Sequence, residues 1–262
     1  MRCSFAFASH LNRAESRVEP SEYEAMHAEE LRHWWFRGRR RVLVDMLRQA
    51  LRSPGGSPRI LDYGCGTGGN ISAYASFGGL VGIEPDAAAI RLAHIRGQAH
   101  YCRSSGTNLP LRHASFDAVL ASDVLEHIEH DLQAVSEIAR VLRPGGVAII
   151  SVPAHQWLFS RHDLALHHFR RYSKTGLREL LEKGGLRIRR LSYWNAALFP
   201  AISLHRLIEK SRPIGRPHSD ATTTPPWLIN EPLAGLLAAE ARILRHVQLP
   251  WGVSLIALAE RI

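Results

Sequence analysis

Short apolar runs alternate with helical stretches along most of this chain. Runs near 59–63, 80–84, 99–102, 117–121 and 146–152 have the length of buried strands. Helical patterns near 68–77, 86–96, 123–141 and 173–184 follow them in turn. Alternation at this spacing predicts a parallel sheet with helices on both faces. A further strand is expected at 187–194, after a helix opened by Ser173 and closed by Gly184-Gly185. Before the first strand, residues 21–50 read as helix, with Ser21 as its cap and Glu22 and Glu24 in its first turn. Residues 1–20 read as a disordered tail, and Ser53-Pro54-Gly55-Gly56-Ser57-Pro58 as a linker.

The chain is organised around Ile60-Leu61-Asp62-Tyr63-Gly64-Cys65-Gly66-Thr67-Gly68-Gly69-Asn70. An apolar run ends in an acid and passes straight into glycines, the pattern of a buried strand turning tightly into a helix. Glycine accepts positive φ and lets backbone approach a ligand closely. Gly64, Gly66 and Gly69 satisfy the spacing of a dinucleotide fingerprint, and Glu84 stands where an acid takes ribose hydroxyls. Asp62 argues for a different ligand. A carboxylate there fits poorly beside a pyrophosphate and well beside a cationic amine, so the favoured ligand is a nucleoside with no phosphate and a positive charge.

Composition narrows the classes. At 262 residues the chain can bury a full core. Cys3, Cys65 and Cys102 form no C-x-x-C pair, which points to a reducing, cytoplasmic setting with no zinc site and no other metal assigned. Cys65 reads as a packing residue rather than a nucleophile. The net charge of +9 sits largely in Arg37-Gly38-Arg39-Arg40-Arg41 and Arg187-Ile188-Arg189-Arg190. Nucleic acid, anionic lipid, an anionic substrate and plain solvated surface all remain open on charge alone. No signal peptide and no apolar run of membrane-spanning length stands out.

D-x-G-C-G-T-G-x-N at 62–70 resembles motif I of the class I S-adenosylmethionine-dependent methyltransferases, in a small-molecule branch of the type 11/12 kind. Further resemblances follow in order: Gly82-Ile83-Glu84-Pro85-Asp86, Leu109-Pro110, Phe116 to Ile128, and Leu142-Arg143-Pro144-Gly145-Gly146 leading to Ala148–Pro153. The resemblance implies an α/β, Rossmann-like, doubly wound seven-stranded sheet whose last strand, near Gly252–Leu258, is antiparallel. It implies S-adenosyl-L-methionine as cofactor. Gly64, Gly66 and Gly68 would shape the loop beneath it, Asp62 would face its amino group, and Glu84 would accept from both ribose hydroxyls. Ser122 and Asp123 would lie along the cofactor. Ser105 stands where relatives carry an acid toward the adenine amino group, so that contact should be weaker.

The acceptor is less constrained. Residues past the fourth and fifth strands nominate His127, His155 and His168 as candidate bases. Arg170, Arg171 and Tyr172 are placed to grip an anion or simply to cap and pack. His33-Trp34-Trp35-Phe36 reads either as core packing or as a lid over the cleft. Residues 195–250 replace the short hairpin expected before the last strand, within a single methyltransferase domain spanning 21–262. They read as a helical cap over the acceptor, an added packing layer, or a membrane-touching segment, with a helix near 231–246. The resulting expectation is methyl transfer to a small or lipid-linked acceptor, O-methylation slightly favoured. A nucleic-acid or protein methyltransferase is disfavoured, because Ser122-Asp123-Val124-Leu125 stands in place of the motif for exocyclic amines. An NAD-dependent oxidoreductase and an inactive cofactor-binding subunit are the remaining alternatives.

Overall fold

The structure is a computed structural model that describes residues 20–51, 56–97, 99–211 and 223–262. The expected tail up to residue 19, Cys3, Ser53 to Gly55 of the linker, and 212–222 of the insertion lie outside the described residues. In chain order the elements are α1 (Pro20–Glu29), α2 (Trp34–Ala50), β1 (Arg59–Tyr63), α3 (Ile71–Ala75), β2 (Gly79–Glu84), α4 (Ala87–Arg96), β3 (His100–Arg103) and β4 (Phe116–Ser122). There follow α5 (Asp131–Val141), β5 (Leu142–Pro153), α6 (Arg161–Ala165), α7 (Lys174–Lys183), β6 (Leu186–Trp194), α8 (Phe199–Ser211), α9 (Trp227–Ile243) and β7 (Ser254–Arg261).

The strands form one seven-stranded sheet in the order β3-β2-β1-β4-β5-β7-β6. β1 is parallel to both β2 and β4, and β4 to β5, while β7 runs antiparallel to both β5 and β6. This is the expected mixed sheet with one reversed strand. Strand order changes direction between β1 and β4, which opens a crevice beyond their C-terminal ends.

Alternation along the strands fills two cores. Leu61, Val119, Ala121, Ala148 and Ile150 face one core with α5 and α7, while Ile60, Ala118, Leu120, Val147 and Ile149 face the other. Val42, Leu43, Met46 and Leu47 of α2, Ile71 and Tyr74 of α3, and Leu237 and Ala241 of α9 complete the second. Trp35 stacks on the fully buried Trp194 with centroids 4.8 Å apart.

Several expectations needed correction. The segment 21–50 is two helices, because the chain turns at Glu30 to His33 and the His33 side chain accepts from the Trp35 N–H to start α2. α1 runs from Pro20, one residue before Ser21. The glycines delay α3 to Ile71. Residues 123–130 are not helical beyond a 3₁₀ turn at Leu125–His127, because Asp123 sits at φ 55° and its N–H donates to the Ser151 carbonyl.

The insertion divides in two. α9 begins at Trp227, earlier than expected, and lies along α2 as a packing layer. α8 instead touches the 3₁₀ turn Gln156–Leu158 after β5. Arg206 of α8 is buried and paired with Glu209 at 3.1 Å.

The α2–α9 contact rests on Gly38. A Cβ there would stand 2.3 Å from Leu237 Cδ1 and 2.6 Å from its Cβ. In an unpacked helix Gly→Ala stabilises by about 1 kcal/mol. Here the sign reverses: Gly38→Ala should lose about 1–3 kcal/mol through overpacking. Thermal unfolding should show a Tm several degrees lower; a raised Tm would contradict this packing.

Candidate functional site

The β1 terminus turns through Gly64, Gly66 and Gly68 at φ 73°, 51° and 82°, values that a side chain rarely adopts. The N–H groups of Gly64 and Cys65 both donate to the Ile83 carbonyl at 2.9 Å, which ties the turn to β2. A Cβ at Gly64 would meet Val124 at 2.5 Å, so the turn also packs closely against the exit from β4. Cys65 is buried against Gly82, and burial followed by the charges of Asp62 and Glu84 pushes its thiol far up, as befits a packing residue.

Two carboxylates flank this turn. Glu84 accepts from the Gly66 N–H at 3.1 Å and the Asp86 N–H at 3.2 Å, so it is fixed in orientation at the β2 terminus. Asp86 in turn caps α4 through the N–H groups of Ala88 and Ala89. Asp62 is buried, and its Oδ2 has no hydrogen-bond partner. Burial raises the Asp62 carboxyl to about 7, with Arg39 opposing and Glu30 and Glu84 adding to the rise. Burial likewise raises Glu84 to about 7 against its two backbone bonds. Ser105 follows Ser104, whose N–H donates to the Glu84 carbonyl, so it stands at the same end of the sheet.

At the β4 terminus the Ser122 Oγ is buried without a partner. Asp123 accepts from Arg39 at 2.5 Å and from the Ser151 Oγ at 3.3 Å. Past it, Glu126 is wholly buried with neither carboxylate oxygen partnered, and burial together with the charge of Asp123 raises its carboxyl well above the usual range.

The N-terminal helices form a wall of this crevice. Glu30 accepts from the Thr67 hydroxyl at 2.7 Å and pairs with Arg96 at 3.1 Å. A Cβ at Gly69 would fall 2.4 Å from the Glu30 carboxylate, so only glycine admits it. Met26 approaches Gly66, and Tyr23 is pushed up first by burial and then by the charges of Glu84 and Asp86. Thus α1 lies across the glycine turn. The tryptophans expected either in the core or in a lid pack toward the second core, while the preceding helix α1 does the covering.

The three candidate bases separate. His127 and His168 meet edge to face, with centroids 4.6 Å apart. The surrounding protein, then His168 and His167, push His127 down, although its side chain is exposed to solvent. His168 is bonded through Nδ1 to Asp163 Oδ1 at 2.9 Å. His155 stands apart, stacked on Tyr193 at 5.1 Å and flanked by Trp157 and Phe199. Its Nε2 is buried without a partner. Arg171 does not grip a ligand: it is buried on Asp163 at 2.8 Å. Arg170 pairs with Asp131 at 3.0 Å, and Tyr172 donates to the same carboxylate.

Glu30, Arg39, Tyr74, Glu126 and Asp163 were not singled out from sequence. Arg39 carried a signal. It falls between Phe36, Val42 and Leu43 on the apolar stripe of α2, and a charge there requires a buried partner.

The basic runs are partly paired, Arg39 in a largely buried pair and Arg37, Arg187 and Arg189 at the surface. Arg37 pairs with Glu231, Arg39 with Asp123, and Arg40 donates to the Glu30 carbonyl. Arg187 and Arg189 share Glu260, and Arg190 donates to the carbonyls of Arg245 and Val247. Among the described residues, no helix is long and apolar enough to cross a membrane.

Known proteins match this arrangement. The family model described as a methyltransferase domain matches residues 61–150. An uncharacterized methyltransferase of Mycobacterium ulcerans (strain Agy99) is 39% identical over 133 residues, covering 49% of this chain and 52% of that protein. The chain thus spans about half the length of the curated relatives it matches. Among solved structures, the cyclase SpnF superposes with a TM-score of 0.55 at 22% identity, over 84% of this chain and 79% of that one. Phosphoethanolamine N-methyltransferase 2 of Haemonchus contortus, solved with S-adenosyl-L-methionine, gives 0.54 at 18% identity, over 82% and 51%. At these identities the structures establish a shared fold.

The raised carboxyl of Asp62 has a pH consequence. Unfolded, it loses its proton near pH 4; folded, it loses it only near 7. Its contribution to stability is therefore full below about pH 4 and is lost as pH rises through 7. Lowered histidines act oppositely below about pH 6.5, so the comparison must be made with Asp62→Asn at each pH. Urea unfolding from pH 5 to 8 should show the ligand-free wild type losing about 1–3 kcal/mol relative to that variant. A difference independent of pH would contradict the assigned burial of this charge.

Proposed function

We propose that this chain, which a methyltransferase-domain model matches over residues 61–150, is a class I S-adenosylmethionine-dependent methyltransferase that transfers a methyl group to a small or lipid-linked acceptor. The observation that carries the reading is the buried, unpartnered Asp62 oxygen beside three positive-φ glycines. A buried carboxylate without a partner is costly, and a cationic amine would satisfy it. A pyrophosphate would not. The residues therefore fit a cationic nucleoside: Asp62 toward its amino group, Glu84 toward the ribose hydroxyls, and Gly64, Gly66 and Gly68 beneath it. Ser122 and Asp123 would line its edge, and Ser105 would offer one hydroxyl toward the base.

S-adenosylmethionine supplies a methyl group already activated by its sulfonium. The chain's own work is then to hold the acceptor in line, keep out water and take a proton where the acceptor carries one. Of the three candidate bases, His155 fits the role best: its Nε2 is unpartnered, and burial pushes its ring down, which favours the neutral form. The aromatic setting of Tyr193, Trp157 and Phe199, with Leu204, Leu207 and Ile208 exposed on the adjoining α8, suits a hydrophobic alcohol or phenol.

Calorimetric titration tests the reading. S-adenosylhomocysteine should bind and NAD should not, and Glu84→Ala should weaken binding about 10–100-fold through loss of paired acceptors. Preference for NAD, or no binding of S-adenosylhomocysteine, would remove the methyltransferase assignment.

A further inference from the structure

A cluster at the β4 end of the crevice is unexplained by methyl-group chemistry alone. The ligand-capable atoms of Glu126, His127 and His168 all lie within 4.8 Å of one another. They come from two segments, the 3₁₀ turn after β4 and the loop after α6, held together by the Phe169 N–H donating to the Glu126 carbonyl at 2.8 Å. Glu126 is wholly buried, and neither of its carboxylate oxygens has a partner. The neighbouring arginines are committed elsewhere: Arg39 to Asp123 and Arg171 to Asp163.

His168 is oriented as a metal ligand is. Its Nδ1 is bonded to Asp163 Oδ1 at 2.9 Å. The His168 imidazole is thus tied through one nitrogen to an acceptor outside the cluster, which leaves its other nitrogen as a lone-pair donor. Asp163 is itself immobilised, accepting from Arg171 at 2.8 and 2.9 Å and from the Ser160 N–H at 2.9 Å. A hydrogen-bond network would have had to satisfy Glu126; a cation satisfies it directly.

We infer that Glu126, His127 and His168 form a binding site for one divalent transition-metal ion, with Asp163 as a positioning group. The expectation of no metal was drawn from cysteine spacing, which does not register donors brought together from distant segments. Donors around one ion stand about 3–3.5 Å apart, so side-chain rotations of about an ångström complete the site. Two imidazoles and one carboxylate suit zinc, iron or cobalt better than magnesium or calcium, and leave coordination positions open. His127, with one edge open to solvent, provides the approach. Resting on the methyl-transfer reading, an open position at the β4 terminus would take an acceptor oxygen and lower its pKa.

The test uses the untagged full chain, stripped with a chelator and titrated with Co²⁺ by visible absorption and with Zn²⁺ by calorimetry. One equivalent should bind with ligand-field bands of nitrogen and oxygen coordination. His127→Asn and His168→Asn should each weaken binding at least tenfold, and Asp163→Asn about tenfold. Glu126→Gln risks misfolding because the side chain is buried, so the solvent-edged His127→Asn, checked by circular dichroism, carries the test. Absence of saturable binding, or unchanged binding by the His127→Asn/His168→Asn double variant, would overturn the site. S-adenosylhomocysteine binding by the stripped protein is measured in parallel. Its failure concerns the cofactor reading, whereas loss of metal binding alone concerns this one.

Discussion

Buried acid in excess of buried base is the constraint around which this molecule is arranged. The chain carries a net charge of +9, yet the crevice at the ends of β1, β2 and β4 gathers Asp62, Glu84, Asp123 and Glu126. Arg39 enters from α2 and is taken by Asp123. Glu30 takes Arg96 beside the glycine turn. Asp62 and Glu126 keep buried oxygens without partners. Burying a charge without a counter-ion costs several kcal/mol in practice unless the group neutralises, and the raised carboxyls of Asp62 and Glu84 are that response. A site of this kind is complementary to cations. The same imbalance underlies the reading of a cationic nucleoside at Asp62 and of a metal ion at Glu126.

The N-terminal helices belong to this site as much as the sheet does. Arg39 places a guanidinium at the β4 terminus, while Glu30 reaches the glycine turn through Thr67 and the space above Gly69. α2 is held in place by α9, through the Gly38–Leu237 approach and the Arg37–Glu231 pair. The second half of the insertion therefore supports the wall that carries Arg39, and α8 remains near His155, past the end of β5. One insertion serves two layers of the molecule.

The sheet was legible because its determinants are local. Strand-length apolar runs between helical patterns set the elements, and the alternation of Ile60 and Leu61, or Ala118 and Val119, assigns each residue to a core. Asp62 and Glu84 were legible because a glycine turn announces a ligand and the flanking acids announce its charge. The break at Glu30–His33 was not, since it depends on the His33 side chain closing back on Trp35. The helix expected from residue 123 failed for a similar reason: tertiary bonding holds Asp123 at positive φ. The His127–His168 pairing depends on how the loop after α6 folds back on β4, and no spacing in the chain encodes that distance.

The central claim is that Asp62 reads the positive charge of a nucleoside's amino group. The most direct measurement compares the affinities of S-adenosylhomocysteine and 5′-methylthioadenosine, which lacks the ammonium-bearing chain, for the wild type and for Asp62→Asn. The account predicts that wild type prefers S-adenosylhomocysteine by at least about tenfold, roughly 1.4 kcal/mol, and that the preference collapses in the variant. Equal affinities in the wild type, or a preference that survives in Asp62→Asn, would contradict it.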